Sequence, residues 1–224
     1  MKLLIMDIEG TLFQTHVRLE GTKLNSTIWQ GIAHRLGADA TREEVATHEK
    51  WHSNGYRSYL EWMKETIQIH LRYGLTHSTF GELIAAAAYN PGVVTTLQRI
   101  DRTRFEPVLV SGGFRELAAR AQRELRIHHA FAACEYLFDE EGQLVSYNLL
   151  PCDFAGKYDF ILLMLREYGL GQDDWVFVGD GLNDVPIAQR APISIAYNAH
   201  PELQKIATYS IDNFLELLTI LERA

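Results

Sequence analysis

Lys2-Leu3-Leu4-Ile5-Met6-Asp7-Ile8-Glu9-Gly10-Thr11 is the stretch on which the reading of the chain turns. Its first half is short and apolar, which suits a buried strand. It then stops at two carboxylates, two positions apart, followed by a glycine that suits a turn. Neither a strand nor a turn needs two acids there. Charge at the mouth of a sheet is costly unless it is paired, hydrogen-bonded or held on a metal. The alternative is an ordinary polar turn, and the remaining segments decide between the two.

Downstream of residue 90 the pattern alternates. Residues 94–100 read as helix, Pro107-Val108-Leu109-Val110 as strand, Ser111-Gly112-Gly113 as a turn and 114–125 as helix. Phe131 to Phe138 and Gln143 to Leu149 read as two strands joined by a hairpin turn at Asp139-Glu140-Glu141-Gly142. Helix follows from Lys157 to Tyr168, then a strand at Trp175 to Val178, then Gly179-Asp180-Gly181-Leu182-Asn183-Asp184. Further short strands fall at 192–196 and 208–211, with helices at 201–206 and 213–222. Strands alternating with helices imply right-handed crossovers and a parallel sheet covered on both faces. The prediction is an α/β fold with a Rossmann-like three-layer core made of residues 1–14 and 90–224.

Between about Lys23 and Ala88 the character is helical, with no Val-rich strand. Leu60, Met63, Ile67 and Leu71 recur at helical spacing. Thr41-Arg42-Glu43-Glu44 has the form of a capping box. Residues 15–89 are therefore predicted to be an all-helical cap inserted after the first strand. Asn90-Pro91-Gly92 marks its end, and that break and residues 12–22 are its expected hinges.

Bulk composition narrows the function. The chain has 224 residues, 47% hydrophobic and 22% charged, an ordinary globular balance. A net charge of −8 argues against a nucleic-acid or anionic-membrane binder. No apolar stretch reaches the roughly 18 residues of a membrane span. Two cysteines are too few for a disulfide framework, so Cys134 and Cys152 are expected as thiols in a cytoplasmic protein, a monomer or homodimer.

In an open α/β sheet, ligands bind at the carboxyl ends of strands. Asp7 and Glu9, Ser111-Gly112-Gly113, and Asp180 to Asp184 all follow strands, and Lys157 opens a helix between them. Asp7 suits a nucleophile or a metal ligand. Glu9 suits a general acid and then a general base. Several acids in a site that accepts an anion require a hard cation, and Mg²⁺ takes carboxylates together with substrate phosphate. The Ser111 hydroxyl and the main-chain N–H groups after it suit an anion, and Lys157 supplies positive charge. Taken singly, Ser111 reads more readily as a helix cap and Lys157 as a surface lysine; it is their convergence with the other segments that favours a site.

These segments, in this order, resemble those of the haloacid dehalogenase-like superfamily. The Ser-Gly-Gly and Gly-Asp-Gly-x-Asn-Asp forms are similar to its phosphoserine phosphatase branch, which also carries a helical cap after the first segment. The resemblance implies a Mg²⁺-dependent phosphatase for a small phosphorylated metabolite. Asp7 would be the phosphorylated nucleophile and Glu9 the acid/base, with its carbonyl on the metal. Asp180 would be a metal ligand, and Asp184 would support the metal's waters. Ser111, Gly112, Lys157 and Asn183 would hold the phosphate. Arg57 is matched loosely to a cap arginine that meets the substrate carboxylate.

Two positions depart from that branch. Glu9 stands where most of these phosphatases have Asp, as in the enolase-phosphatase branch, and its extra methylene moves the proton donor by about one bond length. His16 stands where phosphoserine phosphatases carry the Glu that meets the substrate amine, which argues against phosphoserine. A phosphotransferase using the same aspartyl phosphate is the alternative function, and a non-catalytic phospho-ligand module is a further one. In the cap, His48 and His52 lie one helical turn apart, but solvated or hydrogen-bonded histidines are the simpler reading there.

Overall fold

The computed structural model describes residues 1–19, 22–25 and 27–224, with the side chains of residues 16–26 outside that description. In chain order the elements are β1 (Lys2–Met6), β2 (His16–Leu19), β3 (Thr22–Asn25), α1 (Ile28–Leu36), α2 (Ala38–His52), α3 (Tyr59–Arg72) and α4 (His77–Ala86). There follow α5 (Val93–Arg99), β4 (Phe105–Phe114), α6 (Arg115–Leu125), β5 (His129–Phe138), β6 (Leu144–Leu149) and α7 (Gly156–Glu167). The chain ends with β7 (Trp175–Gly179), a 3₁₀ turn at Leu182–Asp184, α8 (Val185–Ala188), β8 (Ile193–Tyr197), α9 (Pro201–Ile206), β9 (Tyr209–Ile211) and α10 (Glu216–Arg223).

Seven strands form one sheet in the order β6-β5-β4-β1-β7-β8-β9. β1 pairs in parallel with β4 and β7, β7 with β8, and β8 with β9, whereas β5 and β6 are antiparallel. β1 is central because residues 3–6 are fully buried, as a strand covered on both faces requires. Met6 is level with Leu109 on one side and Val178 on the other. The chain leaves β1 between neighbours whose connections run in opposite directions, and such a switch point opens a crevice at the strand ends. This is the α/β, Rossmann-like core that the alternating pattern predicts.

The chain divides into two compact units. The first is Met1–Gln14, Tyr89–Ala133 and Cys152–Ala224, and the second is Thr15–Ala88 with Cys134–Pro151. The hairpin of residues 134–151 thus groups with the helical segment and not with the core, where the sequence pattern assigns it. Its tie is local: Leu144 N–H donates to the Leu75 carbonyl at 2.9 Å, and His77 N–H to the Gly142 carbonyl at 2.8 Å. The buried His70 Nδ1 lies 2.6 Å from the Tyr136 hydroxyl.

Three local expectations need correction. The inserted segment is not all-helical, since β2 and β3 pair as an antiparallel ribbon. Thr41 does not open a helix. α2 already begins at Ala38, and the Thr41 hydroxyl donates back to the Gly37 carbonyl at 2.9 Å. The capping box belongs to Thr27 and Gln30 at the start of α1. In α3 the buried face is Trp62, Met63, Thr66, Ile67, Ile69 and His70, a rotation from the predicted stripe that leaves Leu60 and Leu71 at its margins.

Where the chain leaves and re-enters the first unit, the two crossings are fastened together on that unit's side. Phe13 stacks on Tyr89 with ring centroids 4.2 Å apart, and the Arg120 guanidinium lies 5.2 Å from the Phe13 ring. Gln14 Nε2 donates to the Tyr89 carbonyl at 3.1 Å. Asn90 Nδ2 donates to the carbonyls of Gly10 and Thr11 at 2.8 and 3.0 Å, and Asn90 N–H to that of Leu12. Asn90 is therefore held at the crossing by three hydrogen bonds.

Candidate active site

Asp7 is held at the end of β1 by its own main chain, whose N–H donates to the Val178 carbonyl at 3.0 Å. Residues 8–13 then coil tightly, with Leu12 and Phe13 N–H groups both donating to the Ile8 carbonyl. Gly10 is required here on two counts. Its φ of +92° is left-handed, and a Cβ on it would stand 2.1 Å from Asp180 Oδ2. The Thr11 hydroxyl donates to Asp180 Oδ1 at 2.7 Å, so the first loop and the β7 loop share one carboxylate.

Asp180 follows β7, and Asp184 closes the 3₁₀ turn after it. Asp184 Oδ2 accepts from the N–H groups of Asp180 and Gly181 at 2.9 and 3.1 Å. A Cβ at Gly179 would lie 2.4 Å from that oxygen, so this glycine makes room for the carboxylate. Carboxylate oxygens of Asp7, Asp180 and Asp184 lie within 4.8 Å of one another, and among the described residues this is the group of acids, histidines or cysteines suited to a metal ion.

Lys157 is fully buried and points among the acids, not into solvent as a surface lysine would. Its Nζ lies 2.6 Å from Asp184 Oδ1, 3.1 Å from Asp7 Oδ1 and 3.5 Å from Asp153 Oδ1. Burial alone would lower its pKa, but Asp184, Asp7 and Asp153 outweigh burial and hold it well above the ordinary lysine value. Burial pushes the Asp7 carboxyl up to about 7; Lys157 pulls it down, while Asp184 and Asp153 add to the rise. Burial, then Asp7 and Asp184, likewise hold Asp180 well above the carboxylate range.

The donor chemistry fits Mg²⁺. The buried Asp7 Oδ1 has the Lys157 ammonium 3.1 Å away as its ion-pair partner and accepts no hydrogen bond among the described residues. Three carboxylates crowded into a buried cluster are what a hard divalent cation satisfies.

Ser111-Gly112-Gly113 differs from its predicted turn. β4 runs on through it to Phe114, and α6 starts only at Arg115, so Ser111 is not a helix cap. The buried Ser111 Oγ accepts from Gly113 N–H at 3.1 Å. A Cβ on Gly113 would stand 3.4 Å from Ser111 Oγ and 3.5 Å from Glu9 Oε2, so the serine of β4 and the glutamate of the loop after β1 face the same spot.

Asp153 is the residue that motif reading misses. It is buried, accepts from Asn183 Nδ2 at 2.9 Å, and lies 3.5 Å from Lys157 Nζ, four residues ahead in the chain. A Cβ at Gly112 would meet its Oδ2 at 2.2 Å. The available signal is an acid four residues before the lysine. Between them Phe154 adopts a φ of +47°, a costly backbone for a bulky side chain.

Two cap assignments fall in the second unit. Arg57 is exposed in the second unit, with its main-chain N–H donating to Glu61. The side chain of His16 lies outside the described residues. Asp7, Lys157, Asp180 and Asp184 come together, and Ser111, Gly112, Glu9 and Asn183 border them.

Comparison with known proteins places this geometry. The chain is 29% identical over 224 residues to a phosphoserine phosphatase of Lactococcus lactis, covering 98% of this chain and 94% of that protein. It is 32% identical over 154 residues to one from Idiomarina loihiensis, covering 67% of this chain and 69% of that protein. The phosphoserine phosphatase SerB2 of Mycobacterium tuberculosis is 27% identical over 213 residues, and the chain spans only 48% of its length. Among solved structures, one described as a phospho-aspartyl intermediate analogue of phosphoserine phosphatase matches with a TM-score of 0.77 at 20% identity, over 98% of both chains. A Salmonella enterica hydrolase matches with a TM-score of 0.80 at 18% identity, over 98% of this chain and 71% of the other. These two likenesses carry the fold. The model of haloacid dehalogenase-like hydrolases matches residues 1–192, which include every carboxylate and the lysine of the cluster, and the chain belongs to that family of enzymes.

Proposed function

We propose that this hydrolase is a Mg²⁺-dependent phosphatase that cleaves a small phosphomonoester through an aspartyl phosphate on Asp7. The observation that carries the reading is the buried Lys157 ammonium set between Asp7 Oδ1 at 3.1 Å and Asp184 Oδ1 at 2.6 Å. A lysine so placed positions a carboxylate and offers charge to an incoming phosphoryl group.

Asp7 attacks phosphorus, the Asp7–phosphorus bond forms and the bond to the alcohol oxygen breaks. Glu9 gives its proton to the leaving alcohol. It then takes a proton from water, which attacks the acyl phosphate, releases inorganic phosphate and restores Asp7. Ser111, the Gly112 N–H, Lys157 and Asn183 bind the phosphoryl oxygens. Asp7, the Glu9 main-chain carbonyl and Asp180 would hold Mg²⁺ with Asp184 behind them, and the bound ion supplies the positive charge that lets a phosphate approach these acids. The second unit acts as a cap that excludes water during the first transfer and readmits it for the second.

The phosphoserine phosphatase names of the relatives support a small phosphorylated metabolite as substrate. A panel of such phosphomonoesters, phosphoserine included, assayed for released phosphate with Mg²⁺ and with chelator, tests the reading. Metal-dependent hydrolysis of at least one member is expected. Hydrolysis that survives complete chelation contradicts the metal's role, and no hydrolysis of any member contradicts the phosphatase assignment.

A further inference from the structure

Asp153 has no task in that chemistry, and its location makes it conspicuous. Its buried carboxylate touches three of the four groups assigned to the phosphate. It accepts from Asn183 Nδ2 at 2.9 Å, lies 3.5 Å from Lys157 Nζ, and fills the space that Gly112 leaves by lacking a Cβ. An extra negative charge at an anion seat opposes the anion. Among the described residues, Asp7, Asp153 and Asp184 surround the ammonium of Lys157, and Asp180 clusters with Asp7 and Asp184. With all four carboxylates ionised and a divalent cation bound, that group carries one net negative charge, and without Asp153 it would be neutral.

We propose that Asp153 is a charge-setting and positioning residue of the phosphate seat. Its Oδ1 orients the Asn183 amide and shares Lys157, and its charge weakens the hold on phosphate so that the inorganic product is released. The role rests on the phosphatase reading above. A site that must bind a phosphoryl dianion and later discard one gains turnover by not holding the product too well, because product release limits many enzymes.

Asp153→Asn separates charge from shape. The amide oxygen still accepts from Asn183, while the charge beside Lys157 is gone. Binding of inorganic phosphate to the Mg²⁺-loaded protein, read by titration calorimetry, is expected to tighten on the order of tenfold, as expected for removing one nearby charge in a partly screened site. The KM for a substrate should fall as well. Damage to the fold or to the Asn183 contact would weaken phosphate binding, so tightening is a result that a merely structural residue does not produce. Unchanged or weaker binding by the variant, with the wild type binding normally, overturns the role given to Asp153. Absence of phosphate binding by the wild type overturns the phosphatase reading itself. If Asp153→Asn does not fold, Asp153→Ser carries the same expectation, with the smaller hydroxyl accepting from Asn183.

Discussion

At the residue scale, the site depends on where side chains are missing as much as on where they are present. Gly10, Gly112 and Gly179 each leave a slot that an aspartate carboxylate fills: Asp180, Asp153 and Asp184 in turn. Gly10→Ala should therefore act on the metal. Its methyl must displace Asp180, and a left-handed alanine costs about 1–2 kcal/mol besides. The expected result is a Mg²⁺ dissociation constant raised at least about tenfold, read by calorimetric titration. Gly37→Ala is the control. Gly37 is also left-handed, at φ +117°, but nothing lies within 4 Å of its Cβ position. It should lose stability in a melting experiment and leave Mg²⁺ binding unaltered. Asp7, Glu9, Asp180 and Asp184 are legible in sequence because acids after apolar strands need a reason. Asp153 is not, because a lone acid before a helix reads as an ordinary turn residue, and only its contacts with Gly112, Asn183 and Lys157 separate it from one.

At the element scale, α2 and α3 carry buried ionisable groups with opposite pH signatures. Burial drives the His70 pKa down to about 3, and its Nε2 has no hydrogen-bond partner among the described residues. A folded pKa below the unfolded value of about 6.5 means that its neutral form is favoured by the fold. That stability is present above about pH 6.5 and is lost as pH falls toward 3, at no more than about 1.4 kcal/mol per pH unit. Thermal melts from pH 7 to pH 5 should show a declining midpoint, and His70→Phe should flatten the decline. Glu44 has the reverse sign. Burial raises its pKa to about 7, and its Oε1 lies 3.3 Å from His48 Nε2 without a hydrogen bond. Its contribution is present below about pH 4.5 and is lost as pH rises through 7. Glu44→Gln should accordingly stabilise the protein at pH 8, by about 1–3 kcal/mol in denaturant unfolding, because it removes a buried charge without a good partner. A lower midpoint for Glu44→Gln at pH 8 would contradict this. Glu44 also shows why Thr41 to Glu44 misleads as a capping box: the spacing is right, but the glutamate is turned inward and serves the packing of α2.

At the scale of the whole molecule, the order of strands and helices after residue 90 could be read from the sequence because each short apolar run is closed by Gly, Pro or Asp. The β4 and β5 runs were longer than their apolar cores suggested, since strand pairing carries the chain through Ser111-Gly112-Gly113 regardless of composition. The β2–β3 ribbon was not legible, because Val17, Arg18, Lys23 and Leu24 offer no sustained alternation. The fastening of Phe13, Gln14, Tyr89 and Asn90 joins residues 75 or more positions apart, which local patterns do not reveal. The amides of Leu12, Phe13 and Asn90 all donate to main-chain carbonyls there, so hydrogen exchange should find them protected. Rapid exchange at those amides would contradict the fastening. The central claim is that Asp7 is the nucleophile of a metal-dependent phosphatase, and its most direct test is the turnover of Asp7→Asn on a substrate that the wild type hydrolyses. The account predicts a folded protein with hydrolysis abolished, down by at least about a thousandfold; undiminished hydrolysis by that variant would contradict it.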